Sequence, residues 1–151
     1  MSRLLDSSWS AEVVSSVECC LFAWKDLVVL EASSGGLITV MADDGYIKST
    51  INAAQLEGCG RLQAPSAVAV DSAHNIVVAE SGRGARILLF GANGRLQRVL
   101  HGPTLPAARP SESRGSEAGP WPAAIAVGPD DRLYVIMRDE KFAEIRVYEY
   151  L

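Results

Sequence analysis

The chain has 151 residues, of which 48% are hydrophobic and 21% charged, with a formal net charge of -4. These values describe an ordinary soluble globular domain, large enough to bury a core. The acidic balance excludes uniform electrostatic attraction to nucleic acid or anionic membrane. Every apolar run is broken by a charge or glycine well short of the ~20 residues a membrane helix needs. Charge is nonetheless segmental. Six arginines accompany one acid, Glu112, between Arg83 and Arg114, whereas seven acids sit among four bases from Glu117 onward. This distribution leaves room for a basic patch on an acidic body.

Cys19, Cys20 and Cys59 form an odd set without metal-ligand spacing. Adjacent cysteines on a strand point to opposite faces, so the three read as buried free thiols in a reducing compartment. Residues 1–14 contain no long apolar core and do not read as a signal peptide. The expected location is cytoplasmic, for the chain alone or as part of a longer one.

In chain order, the first unit spans residues 15–52. Its opening, VVSSVECCLFAW, is compatible with a strand or a helix, and its later runs end in the turn Asp44-Gly45. The second unit, 64–102, is the clearest: apolar runs at 67–70, 76–79, 87–90 and 96–100 alternate with polar or glycine-bearing turns, the mark of a small antiparallel sheet. Shifted back by 49 positions it superimposes on the first unit without a gap. Ile76, Val77 and Val78 then fall on Leu27, Val28 and Val29, Glu80 on Glu31, Ile87 on Ile38, and Asn93-Gly94 on Asp44-Gly45. Both Asx-Gly pairs predict type I′ hairpins.

A third unit, 121–151, follows at a shift of 57. Pro122 matches Pro65, Ile125-Ala126-Val127 matches Val68-Ala69-Val70, and Leu133-Tyr134-Val135 matches Ile76-Val77-Val78. One more residue of slack aligns Ile145-Arg146-Val147-Tyr148 with Ile87-Leu88-Leu89-Phe90, and no fourth strand is expected there. Residues 103–120, rich in proline, serine, glycine and alternating charge, read as a flexible loop. Apolar residues on both faces of the strands indicate sheets sandwiched between layers, and four-stranded units at this spacing match propeller blades.

The second unit resembles an NHL repeat. Pro65, residues 68–71 and 77–80, Arg86-Ile87, Phe90 and Gly94 carry the match, with Glu80 where the family more often has Asp. The third unit matches in its strands but has Met137 at the acidic position and Glu144 before the isoleucine; the first matches mainly over 27–51. The resemblance implies an all-β fold of three four-stranded antiparallel blades, half of a six-bladed ring. Because a propeller closes with about four to eight blades, the ring would be completed by the rest of a longer propeller or by a second half, such as a homodimer. Residues 2–8, SRLLDSS, are expected to pair with the strand ending at Tyr150.

Little in the sequence points to chemistry. His74 and His101 read as solvated residues beside strands, with no second histidine at ligand spacing. The glycine-bearing stretches 81–86 and 91–94 precede no helix and so make no phosphate cradle. Glu31 and Glu80 recur at equivalent positions, which indicates a structural role, Glu80 pairing with Arg86 across adjacent strands. Trp9, Trp24 and Trp121 read as wedges between blades. No catalytic, metal or cofactor site is expected. The candidate binding residues lie on one rim: Arg83, Arg138, Lys141, Arg109 and Arg114, suited to an acidic peptide or RNA phosphates.

The expected function is a non-enzymatic binding or scaffold module for a protein partner, with RNA as a further candidate, as the resemblance to the recruiting end of NHL-containing ubiquitin ligases implies. No RING or B-box cysteine pattern accompanies it. The alternative is half of a propeller enzyme of the metal-dependent lactonase or amidating-lyase type, which would need ligands converging from several blades.

Overall fold

Short runs rich in Val, Ile and Leu, each closed by a glycine or Asx turn, favour extended pairing over helix. The computed structural model describes residues 17–23, 25–31, 36–52, 56, 61–62, 64–81, 85–102 and 120–150. Among these residues there are eleven strands and no helix. The first sheet joins β1 (Val17–Ala23), β2 (Asp26–Glu31), β3 (Leu37–Ala42) and β4 (Ile47–Asn52) in that order. The second joins β5 (Pro65–Val70), β6 (Ile76–Glu80), β7 (Ile87–Phe90) and β8 (Leu96–His101), and the third joins β9 (Trp121–Val127), β10 (Leu133–Arg138) and β11 (Ala143–Tyr148). All pairings are antiparallel between consecutive strands.

The helical option at the start of the first unit is overturned over Val17–Ala23, where β1 pairs with β2 in the register Leu21↔Val28. An apolar strand edge next to it outweighs the weak local preference. Residues 2–8 and the loop 103–119 lie outside the described residues.

Packing follows from the two-faced apolar strands. One core joins Val28, Leu30, Ile38 and Ile51 of the first sheet to Val68, Ile76, Val78, Leu88 and Phe90 of the second. A separate core joins Ala69, Val77, Ile87 and Leu89 of the second sheet to Leu133, Val135 and Met137 of the third, together with Tyr150. The second sheet is thus covered on both faces, and every residue of β6 and β7 is buried. The first strands β1, β5 and β9 are successive neighbours at one edge of this stack. No helix among the described residues is long and apolar enough to cross a membrane.

The hairpins differ from the expected type I′ form. The Gly45 N–H donates to the Ala42 carbonyl at 2.9 Å and the Ala42 N–H to the Tyr46 carbonyl at 2.8 Å; Gly91 to Arg95 repeats this with 2.8 and 2.9 Å. Only Gly45 (φ 87°) and Gly94 (φ 77°) are left-handed, while Asp44 and Asn93 keep negative φ. These are three-residue loops closed by one left-handed residue. Asp44 and Asn93 instead serve as acceptors, their Oδ1 atoms each taking the backbone N–H two residues on at 3.0 Å. The same loop recurs at Asp71 to Asn75 and Gly128 to Arg132, closed by His74 (φ 63°) and Asp131 (φ 56°). A Cβ at Gly94 would lie 3.0 Å from Ile51 Cγ1 in addition to the φ penalty. Gly94→Ala is therefore expected to destabilise by about 1–2 kcal/mol, read as a lower urea midpoint with an unchanged slope.

Candidate functional site

The expected rim lies where the second and third strands of each sheet are joined. Arg83, Arg109 and Arg114 lie outside the described residues, so their convergence with the others carries no structural description. Arg138 and Lys141 are both exposed at one turn. Arg138 ends β10 opposite Ala143. The turn is tied by Asp139, whose N–H donates to the Phe142 carbonyl at 3.0 Å and whose Oδ1 accepts the N–H groups of Lys141 at 2.7 Å and Phe142 at 2.8 Å. The Phe142 and Lys141 amides, in that order, hold the Asp139 carboxyl below its ordinary range. The result is a rigid loop presenting Arg138, Lys141 and a Phe142 ring that is 60% exposed, beside the acids Asp139 and Glu140.

The Glu80 carboxylate is committed to the fold. Glu80 and Arg86 are 2% and 1% exposed. Arg86 Nε donates to Glu80 Oε2, its Nη2 donates to the Arg61 carbonyl at 2.9 Å, and the Glu80 N–H donates to the Arg86 carbonyl at 2.8 Å. The ion pair expected from the sequence is present and links β6 to the start of β7. In the third sheet the position of Glu80 is taken by the fully buried Met137, an apolar substitute that a seam of this kind accepts.

Sequence reading missed a polar lock between the second and third sheets. Asp71 is 1% exposed and accepts from the Ala73 N–H at 2.9 Å, the Asn75 N–H at 2.8 Å, Asn75 Nδ2 at 2.8 Å and the Tyr150 hydroxyl at 3.4 Å. The Ser72 N–H donates to Asp131 Oδ1 at 2.8 Å and its hydroxyl to Oδ2, bonds that hold the Asp131 carboxyl low. Burial, then the charges of Asp71 and Asp131, push the Tyr150 phenol up. The Tyr150 carbonyl in turn accepts from Arg98 Nη2. The only hint in the sequence was that Asp71 ends the apolar-Ala-Val-Asp run.

Two hollows occupy the opposite end from the Arg138 turn. A cleft of about 260 Å³ between the first and second sheets is lined by Asp26, Val28, Val40, Lys48, Val70 and His74, among others; its ammonium is engaged by Asp26 at 2.7 Å. An open hollow of about 290 Å³ is formed by Asp130, Asp131, Arg132, Glu149 and Tyr150. Among the described residues no three His, Cys, Asp or Glu side chains group as metal ligands. His74 is exposed in its turn, as expected, but His101 is half-buried, with Nδ1 3.4 Å from the Tyr148 hydroxyl and the rings edge to face at 6.4 Å. The last residue of β8 is therefore part of the seam between second and third sheets, because Tyr148 of the third sheet lies against it.

Replacing only Arg86 strands a buried carboxylate: Arg86→Met is expected to cost about 3–5 kcal/mol by urea unfolding, and Glu80→Met in the same chain to restore most of it. Burial, and secondarily the Arg146 charge, lower the pKa of His101 from 6.5. The folded state then binds fewer protons than the unfolded one, so the His101 contribution is fully present above about pH 6.5 and is lost as pH falls below it. Unfolding midpoints measured from about pH 8 to about pH 5 are expected to drop less in His101→Gln than in the unaltered chain.

No protein-family model matches this chain, and no curated protein matches it significantly.

Proposed function

We propose that this chain is a segment of an NHL-type β-propeller that acts as a non-enzymatic binding module, engaging an acidic segment of a protein partner through its loop rim. One observation carries the propeller reading. Three antiparallel sheets built on the same hairpin pattern follow one another with their first strands adjacent, and the middle one is buried on both faces. Blades arranged around an axis pack in this way. The binding reading is supported by chemistry: the buried Asp71 and Glu80 carboxylates are occupied by the fold's own donors, whereas Arg138, Lys141 and Phe142 stand exposed on a braced turn. An odd cysteine count suits a reducing, cytoplasmic setting.

RNA is the second reading, favoured by the exposed Phe142 ring on the same turn as Arg138 and Lys141, the combination of aromatic and cation that single-stranded nucleic acid uses for stacking and phosphate contact. Poly-glutamate and poly-uridylate separate the two. Poly-glutamate is expected to bind at low salt and to lose roughly tenfold in affinity in Arg138→Glu/Lys141→Glu, exposed charges contributing up to about 1 kcal/mol each. Binding of poly-uridylate instead, abolished by Phe142→Ala, would transfer the assignment to RNA; binding of neither would overturn it.

A further inference from the structure

The third sheet carries an apolar face with nothing described upon it. Tyr134 lies opposite Val147 and Ala126, and Ile136 opposite Ile145 and Ala124, so these six side chains share one face. All are exposed: Tyr134 by 38%, Ile136 by 42%, Ile145 by 70% and Val147 by 52%, with Ala124 and Ala126 also open. The opposite face, through Leu133, Val135 and Met137, is fully buried against the second sheet. A contiguous apolar face of this kind marks an interaction surface on a folded protein.

The repeat says what belongs there. In the alignment of units, Tyr134, Ile145 and Val147 correspond to Val77, Ile87 and Leu89, and Val77 and Ile87 correspond to Val28 and Ile38. Val77, Ile87 and Leu89 are buried under the third sheet; Val28 and Ile38 are buried under the second. In both seams this face receives the other face of the next sheet, presented by Ile76, Val78, Leu88 and Phe90 in one and by Leu133 and Val135 in the other. The exposed face thus repeats one that is twice occupied, and its complement is the receiving face of a further unit of the same type.

This chain also carries such a receiving face. In the first sheet the equivalent positions are Leu27, Val29, Thr39 and Met41, on the side turned away from the second sheet, and Leu27, Thr39 and Met41 keep part of their surface in solvent. We propose that the third sheet's Tyr134–Ile136–Ile145–Val147 face docks the first sheet of a second copy of this chain, with the reciprocal contact made by the two-fold operation. The inference rests on the propeller reading. Three sheets from each copy give six, within the range of about four to eight blades that closes a ring, and a two-fold axis makes both contacts equivalent and leaves no open end.

Solution mass tests it. Analytical ultracentrifugation of the unaltered chain is expected to show a dimer. Ile145→Thr/Val147→Thr, which keeps β-branched residues on β11, is expected to weaken the dimer roughly 10- to 100-fold with an unchanged far-ultraviolet spectrum. Hydroxyl-radical footprinting needs no variant: Tyr134, Ile136 and Met41 are expected to be protected at high relative to low protein concentration. A monomer at all concentrations, a dimer insensitive to the double substitution, or an open ladder of higher oligomers would each overturn the pairing. None of these readouts involves the Arg138 turn, so poly-glutamate binding by a monomer would leave the binding assignment standing while removing this one.

Discussion

The structure depends on burying the second sheet between two others. Val77, Val78, Ala79, Ile87, Leu88 and Phe90 are all fully removed from solvent, and each large side chain so buried contributes about 1.5–3 kcal/mol. Alternating neighbours on these strands point into different cores, so apolar character is required on both faces. The constraint propagates outward: the first and third sheets need only one apolar face to cover the second, yet each carries apolar residues on the other face as well.

Polar groups in the seams follow from that burial. A charged side chain between sheets is tolerated only if its bonding capacity is met inside. Arg86 meets it with Glu80 and the Arg61 carbonyl, and Asp71 with two backbone amides, an asparagine amide and a tyrosine hydroxyl. Arg86 ties the second sheet to the connector that precedes it. The Asp71, Ser72, Asp131 and Tyr150 contacts tie the second sheet to the third at the opposite end. These bonds give register to surfaces whose apolar packing is otherwise permissive. They also engage the Glu80 and Asp71 carboxylates with donors of the fold itself.

Much of the strand layout was legible from local pattern alone. The four runs of the second unit correspond to β5 through β8, the Asx-Gly pairs sit in tight hairpins, and the third sheet has three strands among the described residues. The Glu80–Arg86 pair was legible because opposite charges near a shared strand boundary have few other ways to be buried. The turn type was not, since Asn-Gly and Asp-Gly suit more than one loop length and the choice depends on where the ladder bonds close. The placement of His101 was equally hidden, because its burial comes from Tyr148, 47 residues further along the chain.

The sequence by itself determined what short two-faced apolar runs and turn residues dictate: strands, antiparallel hairpins, and a repeated unit. It also located the cations Arg138 and Lys141 beside a turn. Only the tertiary structure decided which polar residues act together, bringing Asp71 to Tyr150 and Ser72 to Asp131 across 79 and 59 positions of chain. It likewise distinguished the buried face of the third sheet from the exposed one, although both read as equally apolar. The physical reason is the same in each case: local conformation is set by near neighbours, whereas burial and polar pairing are properties of surfaces that meet only when the sheets stack.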